Sequence, residues 1–365
     1  MKLLLFEFKK VMKAKVFLYF LLATVLFISI IFIYQIIQQD SIQAKKIDYY
    51  SSIARDVAQE NYISRDRLKQ GPDADAEAKL EIGQPFYSDL TYLLEVYNNN
   101  DWEEEIKAEI VVSKHALNWR LHYPNFRISE YELNKTIRLN EELLKRQLPK
   151  EDLDLSIQPT IFTKKIISIF LNFIGFIGLL LVLGTVVTRE FEDKNMQLVF
   201  SLPISRGRYI GMKFISLIML AFLWLAAVFT VSFLLPYLFG GKREDIFNYP
   251  LYTYDDVFIN SGDYLVKAIV LSLSFTLFAI SLIVFISYLV RNTIITFIVA
   301  ILLFISGYVV SEYGFYFLIN PFSYQSIDGS VLRFTEQYPV IHVILLLFAV
   351  VLVSLTIILN RKRGI

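Results

Sequence analysis

Residues Arg189 to Lys213 read REFEDKNMQLVFSLPISRGRYIGMK, a charged stretch between two long apolar runs, Ile166–Val187 and Phe214–Phe239. Neither run carries a charged side chain. A helix rises 1.5 Å per residue, so about 20 apolar residues cross a hydrocarbon core of roughly 30 Å. Both runs meet that length. Four more do so elsewhere: Val16–Ile37, Leu265–Val290, Thr293–Ser311 and Val340–Leu359. Six such runs in 365 residues exceed what the core helices of a soluble protein would need. The expectation is an all-α membrane protein with six transmembrane helices.

Charge then sorts the segments between spans. With six spans, Met1–Lys15, Thr188–Lys213, the Arg291–Asn292 turn and Asn360–Ile365 share one side and hold 14 Lys and Arg against 4 acids. The other side holds 22 basic and 31 acidic residues. Positive residues in short loops mark the cytoplasmic face. Both termini and the opening stretch are therefore expected in the cytoplasm, and residues 38–165 outside. The first apolar run is longer than a signal-peptide core, with no small-residue cleavage site after it, so it reads as an uncleaved anchor.

Three parts follow. Residues 1–37 hold an amphipathic helix, with Leu4, Phe8, Val11 and Met12 on one stripe and lysines opposite, and span one. The helix either lies in the membrane interface or continues span one. Residues 38–165 form a mostly helical extracellular domain with helices near 44–70, 101–121 and 129–148. Asp101-x-x-Glu104 and Ser129-x-x-Glu132 resemble capping boxes, and Leu133, Ile137, Leu144 and Leu148 form a candidate buried stripe. Gly71-Pro72, Gly83, Pro85, Asn98–Asn100 and Pro124 read as breaks. Residues 166–365 carry spans two to six, with a cytoplasmic loop at 188–213. An aromatic outer segment at 312–339, punctuated by Asn320-Pro321 and Asp328-Gly329, is expected to dip back into the outer leaflet.

Chemistry is sparse. The absence of cysteine excludes disulfides, thiolate metal sites and cysteine nucleophiles. No Walker loop, H-E-x-x-H or G-x-S-x-G occurs. His115 and His122 share a helical face but lack further ligands for a metal, and Asn134-Lys135-Thr136 is a sequon with meaning only in a glycosylating pathway. The spans hold neutral polar residues such as Gln35 and Asn172, without the mid-membrane carboxylates of ion-coupled transporters. Energy for uphill transport must then come from another subunit. Gly175, Gly178 and Gly184 permit close helix packing in lipid and, with Asn172, are candidates for helix packing or a translocation path.

In the loop, Phe191, Leu198, Val199 and Leu202 share a helical face. Glu190, Glu192 and Asp193 fall in what would be the first turn of a helix, where the dipole favours acids. Pro203 would end it. Such a helix suits a groove on a cytosolic partner; an ordinary basic connector and a lipid-binding helix are the other readings.

This stretch resembles the first cytoplasmic loop of ABC-2 type transporter permeases, of the form E-x-E-x-G-T-x-x-x-L-x-x-x-P-[IV]-S-R. Glu190, Glu192, Leu198 or Leu202, and Pro203-Ile204-Ser205-Arg206 match; Lys194-Asn195 stand where the Gly-Thr pair belongs. The basic start, six spans, tight turn before span five and Asn320-Pro321-Phe322 extend the resemblance, which does not cover residues 38–165. It implies the membrane subunit of an ABC exporter in a bacterial cell membrane, not itself an enzyme. A second copy or related permease, membrane lipids and a cytosolic ATPase carrying ATP and magnesium would be its partners. No cofactor, metal or nucleic acid is expected on this chain. Glu190, Phe191, Glu192, Leu198, Val199, Leu202, Pro203, Ile204, Ser205 and Arg206 would form the ATPase-coupling element. The uncharged spans suit an amphipathic or hydrophobic peptide or lipid-like cargo. The alternative is a receptor or scaffold whose outer domain binds a ligand without transport.

Overall fold

The computed structural model describes residues 2–13, 15–99, 101–193, 205–240, 245–313, 318–335 and 337–362. Its helices are α1 (Lys2–Lys13), α2 (Val16–Gln70), α3 (Ala74–Tyr97), α4 (Trp102–His122), α5 (Glu130–Arg146), α6 (Pro159–Phe170), α7 (Phe173–Glu192), α8 (Arg206–Phe239), α9 (Ser261–Val290), α10 (Thr293–Glu312), α11 (Ile327–Arg333) and α12 (Tyr338–Lys362). Six are long and apolar enough to cross a membrane: α2, α7, α8, α9, α10 and the Tyr338–Asn360 part of α12. The protein is an all-α membrane protein, as its composition predicts. The chain divides into two compact units, one of residues 34–156 with 248–252 and one of the remainder.

In the smaller unit, Phe86, Leu90 and Leu93 of α3 bury against Ile53 and Val57 of α2, Val112 and Trp119 of α4 and Leu133 of α5. The caps at Asp101 and Ser129 form. Asp101 accepts from the N–H groups of Glu103 and Glu104, and Ser129 makes a reciprocal capping box with Glu132. Two expectations fail here. Helix α3 runs straight through Gly83 and Pro85, which read as breaks. Asp73 caps its start, and Gly83 is required there for close approach, since a Cβ would lie 2.6 Å from the Trp119 ring. The expected stripe holds at Leu133, Ile137 and Leu148, which are buried, and fails only at Leu144, which is half-buried while Asn140 and Leu143 take the buried positions beside it.

The larger unit is built around α9. In its most apolar window 72% of the residues are buried, against 22–44% in the other spans, so α9 is the central helix. It packs against α7, α8, α10 and α12. The surrounding helices turn Leu26, Ile30, Leu302 and Val350 outward, as helices solvated by lipid do. The hydroxyls of Ser274, Ser281 and Ser287 bond back to carbonyls of their own helix, so these polar groups are satisfied without water. Helix α1 is separate from α2, and Lys15 between them takes a left-handed φ of 60°. It does not continue span one.

The run Ile166–Val187, read as one span, is instead the end of α6 followed by α7. Asn172 makes the break. Its side-chain oxygen accepts from the N–H groups of Ile174 and Gly175 at 3.0 and 3.1 Å, and its amide donates to the carbonyls of Ser168 and Ile169 at 2.9 and 3.1 Å. One side chain thus caps both helix ends. Gly175 is obligatory at this corner, because a Cβ would sit 1.8 Å from the Phe170 carbonyl oxygen. In the aromatic segment, residues 314–317 lie outside the described residues. Beyond them a 3-10 turn, Pro321–Tyr324, and α11 bury Tyr324, Ile327 and Val331.

Candidate functional site

Loop residues 194–204 lie outside the described residues, and with them the expected site residues Leu198, Val199, Leu202, Pro203 and Ile204. Both anchors of the loop are described. The acids do not open a new helix. Glu190 and Glu192 occupy the last turn of α7, and Asp193 is its C-cap, donating its N–H to the Arg189 carbonyl. Nothing in Thr188-Arg189-Glu190-Phe191-Glu192 breaks a helix, so α7 simply continues. Carboxylates at a helix C-terminus oppose the dipole by roughly 0.3–1 kcal/mol each, and the neighbouring elements supply the compensation.

Glu190 is almost fully buried. It accepts from Lys10 of α1 at 2.7 Å, from Lys213 of α8 at 2.5 Å and from the Tyr209 hydroxyl at 2.9 Å. Lys213, itself 1% exposed, also reaches Glu7 of α1 at 2.8 Å. Two carboxylates and two ammonium groups thus close a neutral network joining α1, α7 and α8. Spacing explains how it assembles: Tyr209 and Lys213 are four residues apart on one face of α8, and Glu7 and Lys10 three apart on α1. Burial works against the charge on Lys10, but the hydrogen bond and charge of Glu190, with Glu7 and Asp193, outweigh it and hold its pKa above the ordinary lysine value.

The other expected residues are also engaged within the chain. Glu192 accepts the N–H of Thr293, the first residue of α10, at 2.8 Å, so an anion sits at that helix's positive end. The Phe191 ring stands edge-on to Tyr288 of α9 at 5.1 Å, with the Arg291 guanidinium 5.9 Å from its centre. Ser205 caps α8 without a side-chain hydrogen bond, and Arg206 donates to the Asn360 carbonyl of α12 at 3.2 Å. Glu190 thus contacts α8 and α1, Phe191 contacts α9, and exposed Glu192 contacts α10, while Leu198, Val199 and Leu202, the rest of the expected ridge, lie outside the described residues. A cleft of about 190 Å³ lies beside the network, between Val11 and Phe17 on one side and Val182 and Val186 on the other.

The remaining expected residues divide. Asn172 and Gly175 build the α6–α7 corner. Gly184 serves packing, since a Cβ would meet Phe297 of α10 at 2.9 Å and Ile283 of α9 at 3.1 Å. Gly178 faces only Phe20, at an ordinary 3.8 Å. His115 pairs with Asp89. Glu7, Tyr209 and Lys213 were missed in the sequence, each passing for local topology charge or span-end filler.

A family model described as ABC-2 family transporter protein matches residues 1–355. The chain belongs to this family. This ABC-2 family member is the multi-pass membrane subunit of an ABC transporter, a permease whose partner is an ABC ATPase. Comparison with curated proteins and with solved structures found no match. The match takes in residues 38–165, which the loop resemblance alone does not reach.

Proposed function

We propose that this permease is the membrane half of an exporter, and that loop 194–204 receives the motion of the ATPase and passes it to the spans. One observation carries this reading. The two anchors of the loop are tied to four other helices: by ion pairs to α1, by an aromatic contact to α9, and by single hydrogen bonds to α10 and α12. Movement at the loop cannot stay local when its anchors are locked to packed elements with discrete arrangements. ATP and magnesium sit on the ATPase. Two copies, or one copy and a related permease, enclose the route, and the termini and loop face the cytoplasm, in keeping with their excess of Lys and Arg. The uncharged, apolar spans favour an amphipathic or hydrophobic peptide or a lipid-like cargo. Exposed Arg208, with Arg206, extends the docking rim toward acids on the ATPase or lipid phosphates.

The test replaces residues 195–203 with a Gly/Ser linker of equal length. ATPase co-purification should disappear while membrane insertion and thermal stability stay unchanged. Retained co-purification would sink the docking claim. An ATPase that still binds but whose hydrolysis no longer responds to cargo would move the loop's role from docking to transmission.

A further inference from the structure

The smaller unit holds a cleft of about 420 Å³ between α2, α3, α4 and α5. That volume falls within the roughly 300–1,000 Å³ of small-molecule sites. Packed interiors leave few voids larger than a water molecule, so a space of this size is a feature of the architecture. Three observations mark it as a binding site.

The first is an apolar floor between aromatic walls. Ile53, Phe86, Val112, Ala116 and Leu133 line the cleft, and each is more than nine-tenths buried. Tyr49 and Tyr50 form one wall, their rings edge to face at 5.2 Å. Phe126 forms the other, edge-on to Phe86 at 6.3 Å. Such a floor offers water few hydrogen bonds, whereas carbon placed on it leaves water and gains dispersion contacts.

The second is a rim already fixed in place. The Phe126–Ile128 turn after α4 is held by Arg120, whose guanidinium donates to the carbonyls of Phe126 and Ile128 at 3.3 and 2.9 Å. Arg127 ties the same turn to α2, donating to the Ser52 hydroxyl at 2.8 Å and pairing with Asp56. Walls locked in this way need little further ordering when a ligand enters.

The third is charge. Among the described residues, four charged side chains line the cleft: Arg127, Glu132, Lys135 and Lys150. Three are committed. Arg127 pairs with Asp56, Lys150 pairs with buried Glu109, and the Glu132 carboxylate accepts the Ser129 N–H and hydroxyl at 3.1 and 3.0 Å. Lys135 differs. It is exposed, its ammonium stands 5.1 Å from the centre of the Tyr252 ring, and it holds no ion pair among the described residues. With Asp56 and Glu109 counted, the charges around the cleft balance, and Lys135 is the one cation with donors to spare.

We propose that this cleft binds a hydrophobic carboxylate, its carbon body between Tyr50 and Phe126 and its carboxylate on Lys135. The end of an apolar peptide and a fatty acid present the same chemistry. The site lies within one unit and needs no ATPase, so its test stands apart from the coupling reading. Full-length protein in nanodiscs is titrated calorimetrically with N-acetyl-phenylalanyl-leucine and, separately, with octanoate, each beside its neutral amide, and the signal of empty nanodiscs is subtracted. At least one acid should saturate the protein and bind at least about tenfold tighter than its amide, as expected for one charged hydrogen bond. Lys135→Gln should lose this preference, and Lys135→Arg, which keeps the charge, should retain it. With no ion pair to lose, both variants should keep the parent's thermal midpoint. Thr136→Trp, at a half-buried position lining the cleft, should fill it and abolish binding of acid and amide alike. Saturation by the peptide alone assigns the site to a peptide end, by octanoate alone to a lipid-derived acid, and by both to hydrophobic carboxylates as a class. No saturation above empty nanodiscs, equal affinity for acid and amide, a preference that survives Lys135→Gln, or binding untouched by Thr136→Trp overturns the proposal.

Discussion

At the scale of single residues, two buried carboxylates decide most of the polar energetics. Glu190 and Glu7 are buried on either side of Lys213, and Lys10 gives Glu190 a second basic partner. Removing one partner of such a pair leaves an uncompensated charge and costs about 3–5 kcal/mol. Lys213→Met should therefore lower thermal stability sharply. The quadruple variant Lys10→Met/Lys213→Met/Glu190→Gln/Glu7→Gln should recover to within about 1 kcal/mol of the parent, since neutral replacement of a buried ion network is often close to free of cost. If the network transmits motion, that stable quadruple variant still binds the ATPase but shows no cargo-stimulated hydrolysis. In the smaller unit, Glu109 is fully enclosed by the Tyr97 hydroxyl, Asn140 and Lys150. Burial alone would raise its pKa, but Lys150, with Lys46 and Asn140, outweighs burial and holds it below the ordinary glutamate value. A depressed carboxylate stabilises the fold fully above its unfolded pKa of about 4.3 and loses that contribution as pH falls through the folded value. Hydrogen exchange of α4 and α5 in the intact protein should accelerate below about pH 4.3, and Glu109→Gln should flatten that dependence. These residues were not legible in the sequence. Glu7 and Lys213 are 206 positions apart, and each taken alone is an ordinary interfacial charge.

At the scale of elements, apolar length was legible and interruption was not. Five of the six apolar runs became the cores of single helices because nothing in lipid competes with the internal hydrogen bonds of a helix. The sixth broke at Asn172, whose side chain satisfies both helix ends, an event that a polar residue among apolar ones does not announce. The converse error came at Gly83 and Pro85, where local breaker chemistry yields to the burial of Phe86, Leu90 and Leu93. The glycines give a differential prediction. Gly184→Val must displace Phe297 and Ile283 and should cost about 1–3 kcal/mol by overpacking, whereas Gly178→Ala, with only Phe20 at 3.8 Å, should stay within about 0.5 kcal/mol of the parent. Midpoints of thermal unfolding in one detergent check both; equal losses would mean that α7 does not approach α9 and α10 as described. Asn172→Ala, removing a double cap, should cost about 1–2 kcal/mol, and Asn172→Asp should restore the α7 cap but not the donation to α6.

At the scale of the whole molecule, the number of spans followed from composition, and the side each segment faces rests on charge. Basic residues outnumber acids 14 to 4 in the short segments assigned to the cytoplasm, and translocation of short basic segments is what the positive-inside tendency opposes. Long domains cross regardless of charge, so the acidic excess of residues 38–165 carries no weight by itself, and the orientation depends on the short loops alone. The chain has no cysteine, so single cysteines can report sidedness without background. Glu141, Lys9 and Arg208 are exposed, and cysteine at each should leave the fold intact. A membrane-impermeant maleimide should label Glu141→Cys in intact cells, and Lys9→Cys and Arg208→Cys only after permeabilisation. The reverse pattern would place the Glu7–Lys10–Glu190–Lys213 network on the outer face, where no ATP is available, and would remove the coupling role from loop 194–204. Labelling of all three in intact cells would mean that the chain inserts in both orientations, and that the basic loops do not set its topology.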